Sequence, residues 1–82
     1  MEVHVPRYFF HVKQGTETIT DEEGIELADL DAVREEALKS SREILSELAL
    51  KGDAGTDRAL VVSNEVGDTV LTYPLALALS SG

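Results

Sequence analysis

The sequence contains no cysteine, only seven basic residues among 82, and no long apolar run. Without cysteine it has no disulfide framework, no thiolate nucleophile and no cysteine-based metal site, and with no recognisable secretory leader we expect a cytoplasmic protein. Sixteen acidic residues leave a formal net charge of -9. Because proteins that bind nucleic acid or anionic membranes use basic side chains, we expect neither as a partner.

The apolar runs are also too short for a membrane span. The longest is the six residues of Pro74–Leu79, whereas a helix needs about 20. The sequence lacks a phosphate-binding glycine loop, a Ser-His-Asp order and histidine-rich metal spacing, so no cofactor and no metal is expected. Its length and apolar content predict one domain over residues 7–79, with flexible ends at residues 1–6 and 80–82.

Strand-favouring residues near the start of the chain predict a β-hairpin. The first strand covers Arg7–Gln14, Gly15 lies in the turn, and a weaker edge strand covers Thr16–Thr20. Because side chains alternate along a strand, Phe9 and His11 share one side of it. The other side carries Tyr8, Phe10 and Val12.

An acidic segment separates this hairpin from a long helix. The run Asp21–Asp31 has six acidic residues and no basic one, and we interpret it as a connecting loop. Asp29 suits the N-cap of a helix that begins at Leu30, because its carboxylate accepts backbone N–H bonds there. Apolar residues at spacings of three and four continue to about Lys51, and Gly52 supplies the stop signal.

The last third of the chain predicts a second hairpin. Strands over Arg58–Ser63 and Thr69–Tyr73 flank a turn that ends at Gly67, and Pro74 either ends the second strand or opens a terminal helix. The order is therefore ββαββ. It predicts an α+β fold in which a four-stranded antiparallel sheet of two hairpins carries one long amphipathic helix on one face.

One helix covers only one face of such a sheet. The side of the first strand that carries Phe9 and His11 then needs a second cover. Either the apolar tail Leu75–Leu79 or a second copy of the chain provides it, and we expect a homodimer.

Several sequence blocks resemble a family of short bacterial proteins catalogued as a domain of unknown function. The blocks are Pro6-Arg7-Tyr8-Phe9-Phe10-His11-Val12, Asp21-Glu22-Glu23-Gly24-Ile25-Glu26-Leu27, Asp29-Leu30 and Ala32-Val33-Arg34-Glu35-Glu36-Ala37. The resemblance spans about residues 6–79 and implies no assigned activity. Ala28 stands where the family usually has proline, which loosens the helix entry. The tail Leu75–Leu79 lacks the family's usual polar residues, which favours self-association.

Residues 17–48 also resemble the antitoxin half of a bacterial toxin–antitoxin pair. That partly RNase H-like domain places an acidic glycine loop and Asp-Leu before an alanine-rich amphipathic helix. The usual Pro-Asp-Leu-Pro-Gly turn is incomplete here, and the chain has no second DNA-binding segment. The resemblance implies a protein that neutralises a nuclease toxin.

Eight residues are candidates for a binding site, and none is a firm candidate for catalysis. They are Arg7, Phe9, His11, Asp21, Glu22, Glu23, Glu26 and Arg34. The histidine suits either a general base or a proton-linked switch, but packing or an interface hydrogen bond is the simpler interpretation. Tyr8, Phe9 and Phe10 resemble the aromatic platforms on which nucleic-acid bases stack. No basic groove surrounds them, so packing in the core is the favoured interpretation.

The acidic candidates have three interpretations. They form a solvated loop, a site for a hard cation, or a docking patch for a basic partner; the spacing does not fit an EF-hand. We expect Arg34 to lay its stem over the edge of the core and to pair its guanidinium with the acidic loop.

The leading hypothesis is a small cytoplasmic, non-catalytic, homodimeric protein that binds another protein through an acidic or aromatic surface. The alternative is an antitoxin-like neutraliser of a basic nuclease, in which acidic residues mimic nucleic-acid charge. The third is a small enzyme that uses His11 with carboxylates of the acidic loop.

Overall fold

Five antiparallel strands and one α-helix form an α+β fold. The computed structural model describes residues 4–79; residues 1–3 and 80–82, which belong to the ends predicted to be flexible, lie outside the described residues. The elements are β1 (Arg7–Gln14), β2 (Glu17–Ile19), β3 (Ile25–Glu26), α1 (Leu30–Leu50), β4 (Arg58–Ser63), β5 (Thr69–Pro74) and a 3-10 tail helix (Leu75–Leu79).

The sheet order is β2-β1-β4-β5, and β3 also pairs with β1. β2 pairs with the end of β1 and β3 with its start, where Leu27 N donates to Pro6 O at 3.0 Å. The two short strands therefore lie along one edge of β1, with residues 20–24 between them. We call residues 20–24 the acidic loop.

The α+β class is confirmed, but the four-stranded ββαββ description is only roughly matched. β3 lies inside the run Asp21–Asp31, which the sequence pattern predicts to be entirely a loop. It pairs with Arg7 and Tyr8. A strand of two residues shows no alternation of its own, so only its partner strand defines it. The second predicted strand is also shorter than expected, because only Glu17–Ile19 pairs with β1.

The N-cap and stop signals in the sequence predicted the two ends of the helix closely. Asp29 is the N-cap, and its Oδ1 accepts a hydrogen bond from Ala32 N at 2.9 Å. The helix begins at Leu30 and ends at Leu50, and Gly52 follows with a left-handed φ of 77°. Within residues 4–79, no helix combines the length and the apolar composition that a bilayer crossing needs.

The core lies on one face of the sheet. Helix α1 buries four residues at a spacing of four, namely Val33, Ala37, Ser41 and Leu45. Ala37 and Leu45 belong to the cluster that contains Leu60, and Val33 belongs to the cluster that contains Val62. The tail helix adds Leu75 and Ala78 to the same core. The tail therefore covers the helix side of the sheet and not the side that carries Phe9.

We call the second side the open face. The strand register places Phe9 and His11 of β1 there, beside Val61 and Ser63 of β4. All four are half-buried. Among residues 4–79 no helix packs against this side, and the acidic loop lies at its edge, where Gly24 packs close to Phe9.

Candidate functional site

Asp21 anchors the acidic loop to the sheet. Its Oδ2 accepts from Phe10 N at 3.1 Å, and its Oδ1 accepts from Glu23 N at 3.1 Å and Gly24 N at 3.2 Å. Phe10 N–H points to the sheet edge in the gap between β2 and β3, where no strand can accept it. The carboxylate thus replaces a missing strand at this position.

The hydrogen bonds to the Asp21 carboxylate also favour its ionised form. Partial burial opposes ionisation of Asp21, but the N–H groups of Phe10, Gly24 and Glu23 and the nearby His11 ring outweigh it. The pKa of Asp21 therefore lies below its ordinary value. The carboxylate is ionised at neutral pH and is used to hold the loop, so it is not free to bind a partner.

His11 connects the acidic loop to β4 across the open face. Asp21 N donates to His11 Nδ1 at 3.0 Å, and His11 Nε2 lies 2.9 Å from Ser63 Oγ. Because Nδ1 accepts a hydrogen bond, the neutral ring carries its proton on Nε2 and donates it to Ser63 Oγ. The ring is fixed from both sides.

Ser63, His11 and Asp21 are the residue types of a catalytic Ser-His-Asp triad, although their order in the sequence did not indicate one. A catalytic histidine needs an unprotonated Nε2 to take the serine proton, with a carboxylate on its Nδ1–H. Here the hydrogen bonds are reversed, because a backbone N–H occupies Nδ1 and the proton lies on Nε2. This arrangement does not activate Ser63.

The acidic loop closes tightly over two side chains of β1. Gly24 has a φ of 70°, and a Cβ atom there would lie 2.8 Å from Phe9 Cε2 and 2.9 Å from Arg7 Cγ. Arg7 Nη1 also donates to Glu23 O at 2.8 Å, and Arg7 Nη2 lies 3.8 Å from Glu26 Oε1. Phe9 and Arg7 therefore support the underside of the loop.

The remaining carboxylates of this region are exposed to solvent. Glu22, Glu23 and Glu26 are all exposed. They belong to residues 17–31, which contain seven acidic and no basic residues and which run from β2 through the loop and β3 to the start of α1. We call residues 17–31 the acidic edge. Its anchored backbone and exposed glutamates form a fixed negative surface.

Arg34 pairs with Asp31, the last residue of the acidic run Asp21–Asp31, and not with the residues around Asp21. Its side chain is 65% exposed, and Nη1 lies 3.5 Å from Asp31 Oδ1, one helical turn away. The guanidinium therefore pairs within α1 and not with the acidic loop. The stem lines a small hollow with Leu30, Val33, Val70 and Leu71, so the expected contact with the edge of the core is present.

The carboxylates of the acidic loop point in different directions. Within residues 4–79, no group of three or more histidine and carboxylate side chains is placed to hold a metal ion. The reason is the direction of the side chains, because Asp21 faces the sheet whereas Glu22 and Glu23 are exposed.

Three residues of the site were not predicted. Ser63 holds the His11 ring, and Gly24 lets the loop pack closely on Phe9 and Arg7. Glu65 Oε1 accepts from Arg7 N at 3.1 Å and lies 2.7 Å from His4 Nε2. The Arg7 N–H bond, followed by the His4 contact, lowers the pKa of Glu65. Ser63 and Glu65 are distant from their partners in sequence, so only the register of β1 against β4 could have indicated them.

Comparison with known proteins identifies a family but no characterised relative. Searches of curated proteins and of solved structures each gave no significant match. A family model matches residues 7–76. That range runs from the first residue of β1 into the tail helix and includes the acidic edge, His11 and Ser63. The chain therefore belongs to the family described as Domain of unknown function (DUF6894).

Proposed function

We propose that this protein is a small cytoplasmic, non-catalytic protein of bacteria that binds a basic protein through its acidic edge. The single observation that carries this proposal is that the carboxylates of the loop face different ways. Asp21 faces inward and anchors the loop, whereas Glu22 and Glu23 are exposed. A surface that is already ordered loses less conformational entropy on binding. The bacterial origin rests on the resemblance of the Pro6–His11 motif and its following blocks.

Charge supports a basic partner. The chain carries a net charge of -9, and the acidic edge contributes seven carboxylates without a basic residue of its own. Complementary charge accelerates association and selects against acidic partners, and salt weakens it. Of the nearby basic side chains, Arg7 is bound to the loop backbone and Arg34 to Asp31.

The geometry around His11 supports a non-catalytic role. Its Nε2 proton is directed at Ser63 Oγ, which leaves no base beside the hydroxyl. A nucleophile needs such a base within hydrogen-bond reach.

The open face supports the proposal that the protein is a homodimer. Phe9 and Val61 lie half-buried on a sheet face that no helix covers among residues 4–79. Open apolar sheet faces commonly pack against a second sheet. We expect light scattering to give twice the chain mass and Val61→Glu to give the chain mass, with Lys39→Glu on α1 as the control. A monomeric wild-type protein would remove this part of the proposal.

The second candidate function is an antitoxin-like neutraliser of a basic nuclease. The acidic edge favours it, because a fixed row of carboxylates can occupy a surface that otherwise binds phosphates. The sequence resemblance over residues 17–48 covers this edge and most of α1. Inhibition of a small basic nuclease encoded beside this gene would distinguish it from a general binding protein.

Site-specific crosslinking tests the leading proposal. A photoreactive residue replaces Glu22 in one sample and Glu43, on the outer side of α1, in another. We expect position 22 to capture one basic protein from the native cell extract at low salt and much less at high salt, and position 43 to capture little. Equal capture at both positions, or capture that salt does not change, would contradict binding through the acidic edge.

A further inference from the structure

We propose that His11 is a proton-sensitive latch: protonation of its ring opens the acidic loop and uncovers Phe9. This inference concerns the fold of the loop itself and does not depend on the proposed partner. An unperturbed histidine changes its charge between about pH 5 and 8, which is the range used in the test below.

The first step is the bond between the ring and the loop backbone. His11 Nδ1 accepts from Asp21 N at 3.0 Å, which requires a neutral ring. In the protonated ring both nitrogens are donors, so Nδ1–H and Asp21 N–H would oppose each other. The Ser63 contact survives, because Nε2 donates to Ser63 Oγ in both states.

The second step is that Asp21 cannot compensate within the present geometry. Its carboxylate would attract the charged ring, but Oδ2 is bound to Phe10 N and Oδ1 to Glu23 N and Gly24 N. Oδ2 keeps one free lone pair, but bringing it to the ring would shift the carboxylate away from the N–H groups that fold the loop. Protonation therefore removes either the Asp21 N–H bond or the carboxylate anchor, and the loop rearranges in both cases.

Several charged side chains lie near the His11 ring. Among the acidic ones, the Asp21 carboxylate is the group that holds the backbone of the acidic loop by hydrogen bonds. The charged side chains on the elements around the ring are Arg7, Lys13, Glu17, Asp21, Glu22, Glu23, Glu26 and Arg58. Glu17 and Arg58 pair with Gln14 and lie on the side of the sheet opposite to His11. On the open face β2 contributes the uncharged Thr18, and β4 contributes the uncharged Ala59, Val61 and Ser63. β5 adds Thr69, Thr72 and Pro74, which are uncharged as well.

The third step is the consequence for the open face. Gly24 lies so close to Phe9 that a Cβ atom would approach the ring to 2.8 Å. When the loop moves away, the Phe9 ring loses this cover and the exposed Glu22 and Glu23 change position. Acidification thus changes both the apolar and the acidic parts of the surface.

Amide hydrogen exchange tests the latch on the full chain. We expect the protection factors of Glu23 and Gly24 N–H to fall roughly tenfold as His11 becomes protonated, about the equilibrium effect of one lost hydrogen bond. Protection at Leu60 in the central strand should stay constant, which separates loop opening from global unfolding.

Two variants make the test specific. In His11→Gln, the amide oxygen can accept from Asp21 N and the amide nitrogen can donate to Ser63 without titrating, so we expect constant protection across the same pH range. His4→Gln removes the other histidine and should keep the wild-type response. Constant wild-type protection, or an equal fall in His11→Gln, would overturn the proposal.

Discussion

At the residue scale, Asp21 and His11 are paired with the backbone of the acidic loop, whereas one buried hydroxyl of the core has no partner among residues 4–79. Asp21 and His11 use their side-chain acceptors for the acidic loop. Ser41 is fully buried in α1, and its Oγ has no hydrogen-bond partner within residues 4–79. An unpaired buried hydroxyl reduces stability, because it loses its bonds to water and gains none.

We therefore expect Ser41→Ala to raise the free energy of unfolding by about 1 kcal/mol. The neighbouring Ser40 is the matched control, because its Oγ donates to Glu36 Oε2 at 3.0 Å and Ser40→Ala loses that bond. Urea unfolding of both variants measures the difference. Destabilisation by Ser41→Ala would show that the hydroxyl contributes to packing or to a bond with water.

At the element scale, the sequence predicted those elements whose signals are local. Asp29 and Gly52 set the ends of the helix, and the bounds of β4 agree with the prediction. β3 and the His11–Ser63 contact were not predictable, because each exists only through pairing with a distant segment. The eight candidate residues were chosen by type. The structure brings most of them together at the acidic loop but leaves Arg34 on α1.

The acidic loop as an element depends on the absence of a side chain at Gly24. We expect Gly24→Ala to destabilise the protein by roughly 1 to 3 kcal/mol more than Gly15→Ala, since only the former forces a Cβ atom against Phe9. Both glycines have positive φ, at 70° and 60°, so the backbone strain of alanine is common to both. Thermal unfolding of the two variants measures the difference. An equal loss of stability would mean that the loop does not pack on Phe9.

At the scale of the whole molecule, acidic residues determine both surface and stability. Among residues 4–79, three carboxyl groups have pKa values lowered from their ordinary values. In Asp21, backbone N–H bonds outweigh burial. In Asp53, the cause is foremost the hydrogen bond from Arg58, and in Glu65 it is the bond from Arg7 N. A depressed pKa in the folded state stabilises the fold above the unfolded pKa, about 4 for these groups.

We therefore expect these three groups to add a constant amount to the free energy of unfolding above about pH 5, and this contribution to fall as the pH drops below about 4. Asp21→Asn should be less stable at neutral pH and should show a shallower fall. Urea unfolding over this range measures both. Falling pH also relieves the repulsion within a chain of net charge -9, so a stability that rises toward pH 3 would show that repulsion outweighs the three anchored carboxylates.

The proposed binding of a basic protein through the acidic edge is tested most directly by comparing two double variants that change the net charge by the same amount. The crosslinked partner, once purified, is titrated against Glu22→Lys/Glu23→Lys and against Glu43→Lys/Glu47→Lys. Net charge changes equally in both, whereas only the first pair alters the acidic edge. We expect the first pair to weaken binding at least tenfold, a loss of about 1.4 kcal/mol, and the second to change it little. Equal weakening by both pairs, or by neither, would contradict it.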